Sequence, residues 1–128
     1  MKKVKKKIDP ITCNVPNVCF SLMEPKDKRW HKMKEQRLEY GFDDSETWSL
    51  DATLVHFMYP RLKRYLEIAN DVIVIDDEMR KAIEDMIWFF ERFLKGEEDC
   101  DFELTQEEYT RLPEIFEKFG KQFMRLWW

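Results

Sequence analysis

Apolar side chains recur along this chain at steps of three, four and seven, the spacing of one helical face. The clearest stripe is Met79, Ile83, Met86, Phe90, Phe93 and Leu94. Asp76 stands where an N-cap belongs, and Asp77 and Glu78 come next in the positive first turn. Gly96 is placed to stop this helix. A second stripe of Trp48, Val55, Met58, Leu62, Tyr65 and Leu66 predicts a helix from about Glu46 to Ala69. Pro60 lies inside it and is expected to kink or split it, because proline removes a donor and crowds the preceding turn. Leu112, Ile115, Phe116, Phe119, Phe123 and Leu126 carry a last helix towards the end, opened by a capping box of Thr105 and Glu108. Pro113 is expected in the first turn of its main part. Gly120 lowers helix propensity by about 1 kcal/mol relative to Ala, and its missing side chain allows another helix to approach closely.

The beginning of the chain reads differently. Between Asp27 and Tyr40 only Trp30, Met33, Arg37, Leu38 and Tyr40 sketch a weak stripe. Gly41 is its terminator, and Asp43, Asp44 and Ser45 are caps for the second helix. Before Asp27, prolines at 10, 16 and 25 block helix continuation, while Ile11, Val15, Val18, Phe20, Leu22 and Met23 give the segment something to pack with. These elements predict an all-α fold, a compact helical bundle of about four helices with an irregular, extended N-terminal arm. Residues 1–26 are read as the arm, with a mobile basic tip, and residues 27–128 as a single helical domain.

Composition supports helices and narrows the function classes. Hydrophobic residues make up 44% and charged residues 38% of the 128 positions, against only three glycines. All-β folds spend glycine on many turns, and disorder needs low hydrophobicity. The net charge of −4 opposes broad attraction to nucleic acid. No apolar run has the length of a membrane span, and no apolar stretch comes after the N-terminal lysines as a signal peptide requires. Three cysteines, Cys13, Cys19 and Cys100, suit reduced thiols better than a disulfide framework. Charge is uneven: five lysines crowd the first seven residues, and Glu97, Glu98, Asp99, Asp101, Glu103, Glu107 and Glu108 crowd a late segment.

Catalytic patterns are thin. There is no glycine-rich phosphate loop, and neither His31 nor His56 stands after a glutamate at di-iron spacing. The Cys13–Cys19 spacing fits no common zinc site, so no metal and no cofactor is expected. Glu84 and Glu91 share a face of the third helix and read as solvated. Asp51 is more pointed. It falls three residues after Trp48 and four before Val55, which places it on or beside the apolar stripe. A buried carboxylate needs a partner, and Arg61, Lys63, Arg64, an indole N–H or backbone donors could supply one. Two readings stay open: a satisfied packing contact, or a polar anchor in a ligand pocket walled by Trp48. Arg61 and Arg64 are likewise either a solvated basic face or a clamp for phosphate or carboxylate. At the C-terminus, Trp127 and Trp128 with Phe123 make an apolar patch, assigned either to the arm or, preferably, to an oligomer interface.

The run Gly41-Phe42-Asp43-Asp44 to Trp48-Ser49-Leu50-Asp51, with Pro60-Arg61-Leu62-Lys63 after it, resembles a widespread group of small phage-encoded proteins of unassigned function. Residues Ile115 to Trp127 are similar to the C-terminal pattern of that group. The likeness covers roughly residues 37–66 and 110–128; the arm stands outside it. It implies a product acting in the cytoplasm of a bacterial host and supplies no reaction. The leading expectation is a non-enzymatic, homo-oligomeric accessory protein that captures a small anionic ligand such as a signalling nucleotide, with Trp48, Asp51, Arg61 and Arg64 at the site. The alternatives are a module that docks a host protein through the acidic 97–108 segment, and a metal-dependent hydrolase using Asp51 with third-helix carboxylates.

Overall fold

A computed structural model describes residues 8–127. The fold is all-α, with no strand among the described residues: α1 (Trp30–Tyr40), α2 (Leu50–Val72), α3 (Asp77–Asp99) and α4 (Gln106–Gln122). Two short 3-10 turns, Asp44–Thr47 and Phe123–Arg125, stand before α2 and after α4. No helix is long and apolar enough to cross a membrane. The basic tip and Trp128 lie outside the described residues.

Contacts along the chain group it into two units, Met1–Phe57 and Met58–Trp128, with the boundary inside α2. In the first unit the N-terminal arm supplies the core. Ile11 and Met23 from the arm are buried with Met33 of α1, and Trp30 packs against them. The weak stripe of α1 has its reason here: its apolar partners come from an irregular segment rather than from a second periodic helix. Gly41 ends α1 as expected, in the left-handed conformation at φ 83°, where its N–H reaches the Arg37 carbonyl. The helix expected from Glu46 instead opens with a 3-10 turn, and α2 proper begins at Leu50. Pro60 does not split it; α2 continues unbroken to Val72.

The second unit is built on α3 and α4. Met79, Ala82, Ile83, Met86 and Phe90 form the buried face of α3, and Ile115 of α4 is buried as well. Phe89 meets Phe116 of α4 edge-on at 5.8 Å between ring centres, and Phe93 meets Phe102 at 6.1 Å. Such edge-to-face pairs add about 0.5–1.5 kcal/mol beyond the area they bury. Gly96 does not stop α3. The helix runs on to Asp99 and terminates at Cys100, which takes the left-handed conformation at φ 54°. Glycine is needed at 96 for another reason: a Cβ there would stand 2.8 Å from the Asp101 carbonyl, where the chain folds back over the helix. The Asp101 N–H closes that return by donating to the Gly96 carbonyl at 2.9 Å. Thr105 and Glu108 form the expected capping box of α4, whereas Pro113 sits well inside the helix rather than in its first turn.

Candidate functional site

The densest polar chemistry of the first unit is a buried network where the arm meets the turn before α2. Asp43 caps that turn, and a reciprocal box forms: its carboxylate accepts the Ser45 N–H at 2.9 Å, and Glu46 accepts the Asp43 N–H at 2.7 Å. Asp43, Ser45, Glu46 and Arg37 are all buried, Asp43 completely at 0% exposure. Such groups need partners, and each has them. Arg37 forms an ion pair with Glu46 and donates from Nε to the Pro10 carbonyl at 2.6 Å. Glu46 also accepts the Phe20 N–H at 3.2 Å, and the Ser45 hydroxyl accepts the Leu22 N–H at 2.8 Å. The Ser21 hydroxyl donates to Asp43. The Cys19 thiol donates to the Ile11 carbonyl, and burial pushes its pKa up. No buried side-chain polar atom among the described residues lacks a partner. The network is therefore a lock between arm and turn, with its hydrogen-bonding capacity spent internally.

The sequence hints at this lock without revealing it. Asp43 and Ser45 read as caps, but Arg37 on the stripe of Trp30 and Met33 is the stronger signal. An arginine at a core position requires a buried carboxylate, and Glu46 is that group.

The residues singled out from the sequence behave otherwise. Asp51 is exposed in the first turn of α2, where its carboxylate accepts the Ala52 N–H at 2.9 Å and suits the positive helix end. The expectation that its place on or beside the apolar stripe brings it near the buried interior is corrected: Asp51 is exposed. Trp48 itself is half exposed and the stripe becomes buried only at Val55, so the face that Asp51 shares is uncovered at this end of the helix. The Trp48 ring is half exposed, with the Arg29 guanidinium 4.7 Å from its centre. Arg64 is exposed and pairs with Glu67 at 2.9 Å, and Arg61 is exposed on the same helix. Phe123 and Trp127 are exposed, in keeping with an unburied apolar end.

A second cluster, in the α3–α4 pair, is the more open to a ligand. Lys81, Asp85, Arg111, Glu114, Ile115 and Lys118 line a cleft of about 160 Å³. Asp85 is nearly buried and pairs with Lys81 at 2.7 Å; Glu114 pairs with Lys118 at 2.9 Å. The hydrogen bond that Lys118 donates to Glu114, reinforced by the charge of that carboxylate, pushes the Lys118 pKa up. Arg111 is the odd member. Its guanidinium lies 4.2 Å from the centre of the Trp88 ring and has no carboxylate partner among the described residues. Stacking on an indole fixes the plane of the guanidinium while leaving its edge donors available. Three cations against two carboxylates leave the cleft with an excess of positive charge. Its volume suits one phosphate or carboxylate group and is well below the roughly 300–1,000 Å³ of sites that enclose a whole small molecule. No periodic pattern announces this cluster, because Trp88 and Arg111 belong to different helices.

No family model, no curated protein and no solved structure matches the chain. No group of three or more His, Cys, Asp or Glu able to hold a metal ion occurs among the described residues.

Proposed function

We propose that this chain is a non-enzymatic binding protein, a phage accessory product acting in the host cytoplasm, that captures a small molecule by one anionic group. The observation that carries the reading is the Arg111 guanidinium, stacked on Trp88 in the lining of a net-positive cleft. Arginine's planar fork matches both carboxylate and phosphate. The anionic ligand is thus assigned to Arg111, Lys81 and Lys118 ahead of Trp48, Asp51, Arg61 and Arg64. The host and the accessory role rest on the resemblance of the Trp48–Asp51 and Pro60–Lys63 runs alone.

Calorimetry with inorganic phosphate and a panel of nucleotides tests the reading. Binding to the wild-type chain should weaken at least tenfold in Arg111→Ala and be little changed in Arg61→Ala. Loss in Arg61→Ala instead would return the ligand to the residues chosen from sequence. No heat with any member of the panel would remove the anion-binding reading.

The acidic 97–108 segment supports a second reading, docking of a basic host protein. Part of its charge is answered within the chain: Lys95 lies 3.3 Å from Asp99, and Arg92 lies 2.9 Å from Glu108. Asp101, Glu103 and Glu107 remain exposed. Capture of a host protein that vanishes at high salt, and in a variant with these three acids replaced by Ser, would favour this reading over the cleft.

A further inference from the structure

One face of α4 carries an apolar seam that the chain covers only in part. Tyr109, Leu112, Phe116 and Phe119 succeed one another on α4 at steps of three and four, and Phe123 and Leu126 come after them in and just past the 3-10 turn that ends the helix. The steps on α4 are the a/d spacing with which one helix packs along another. Within the second unit the seam is only partly used. Tyr109 is 56% exposed, Phe116 48%, Phe123 59% and the nearby Trp127 70%. Nor is this a frayed end. Arg125 reaches Asp76 at 2.8 Å and Gln122 at 2.7 Å, and the Tyr65 hydroxyl lies 3.2 Å from the Trp127 carbonyl. The backbone is pinned while Tyr109, Phe123 and Trp127 stay more than half exposed.

We infer that this seam is the interface of a homodimer, covered by α4 of a second copy. The area is of the right size. An aromatic side chain presents about 150–250 Å², so the exposed parts of these four residues on two copies amount to roughly 900 Å². Leu112, Phe119, Leu126 and Met124 add to that sum and carry it past the approximately 1,000 Å² of a specific interface. The flanks are self-compatible. On one side of the seam Ile115 and Gln122 are already buried within the chain. On the other side stand Pro113 and Gly120, neither with a long side chain, and a Cβ at Gly120 would meet nothing within 4 Å. Two α4 helices crossing antiparallel about a two-fold axis near Phe116 and Phe119 set Pro113 of one copy against Gly120 of the other. This is the isologous contact of cyclic dimers. Charge does not oppose it, because Glu114–Lys118 and Glu117–Lys121 neutralise themselves along each helix at 2.9 Å and 3.4 Å. The inference is independent of the anion cleft, since Arg111 lies on the side of α4 that meets Trp88.

Sedimentation equilibrium of the full chain tests it. The wild type should be a dimer at low micromolar concentration. Phe123→Glu should dissociate at least a hundredfold more readily while keeping its helical circular dichroism. Gly120→Gln keeps the proposal testable should that variant misfold, because its two effects have opposite signs. A glutamine is a better helix former than glycine and meets open space, so the dilute, monomeric protein should melt about 3–5 °C higher. The same side chain obstructs the crossing, so dimerisation should weaken at least tenfold. A wild type that stays monomeric at several hundred micromolar overturns the inference, whether the seam is covered within the chain or by another protein. So does an assembly of undiminished strength in both variants.

Discussion

The two units of this chain solve the same problem with different materials. The first, described over residues 8–57, has few buried apolar side chains and is closed by Arg37, Asp43, Ser45 and Glu46, all buried and all hydrogen-bonded. The second is closed by an apolar face of α3 and edge-on phenylalanine pairs. Their charges diverge as well. Residues 1–57 hold eleven basic against nine acidic side chains, and residues 58–128 hold eleven against seventeen. A polar lock is directional and fails steeply when one partner is lost, whereas an apolar core is tolerant and fails in proportion to the volume removed.

The largest expected effect is therefore in the first unit. Arg37→Ala leaves the Glu46 carboxylate buried without its counter-charge and should cost about 3–5 kcal/mol. Urea unfolding measures the loss, and hydrogen exchange should place the new openings in residues 8–57. Replacing the pair together, Arg37→Met with Glu46→Leu, should recover only part of that loss, because the Asp43 and Phe20 N–H groups and the Pro10 carbonyl then lack their partners. A cost below about 1 kcal/mol for Arg37→Ala alone, the worth of an exposed pair, would mean that the lock is solvent-screened and the contrast unfounded.

A smaller effect belongs to the second unit. Gly96→Ala drives a methyl group against the Asp101 carbonyl, 2.8 Å from the ideal Cβ, so the backbone of the return must shift. Overpacking of this kind costs about 1–3 kcal/mol. Exchange should rise at the end of α3 and the start of α4 and leave the arm protected. Stabilisation by the substitution would show that the return is loose.

The smallest effect is acid sensitivity, which the two units share. The Arg29 side chain beside Asp27 lowers its pKa to about 2. Asp76 is held low chiefly by the Met79 N–H and then by Arg125, and Glu108 chiefly by the Thr105 N–H and also by Arg92. For a carboxylate whose folded pKa lies below its unfolded value, the stabilisation is present above the unfolded pKa near 4 and is lost as pH falls through the folded value. The urea midpoint should decline modestly from about pH 4.5 downward. Asp76→Asn and Glu108→Gln should flatten that decline, and a midpoint as steep as in the wild type would assign acid sensitivity to other groups.

How much of this is legible in the sequence depends on the range of the interaction that decides each feature. The stripes of α3 and α4, the Gly41 terminator and the Thr105–Glu108 box are local, and spacing and capping alone reveal them. Gly96 stands out in the sequence as a helix stop, yet its constraint comes from a carbonyl five residues on, in a return that no periodicity marks. Helical counting puts Asp51 on the face of Val55, but spacing does not tell how far towards the start of α2 that face is covered. Arg37 with Glu46, and Trp88 with Arg111, are contacts between separate elements, and only the burial of one charged partner betrays such a pair in a single sequence.

The sheltered thiol on the arm has a practical consequence. Cys19 is tied to the Ile11 carbonyl and held protonated by its surroundings, while Cys100 sits exposed at the end of α3. An alkylating reagent should tag exposed Cys100 at once and the half-buried Cys13 and Cys19 of the arm more slowly, as residues 8–25 lift away from the turn. The lag between the first modification and the later two, monitored by mass, is then a clock for detachment of the arm, already present in the wild-type chain.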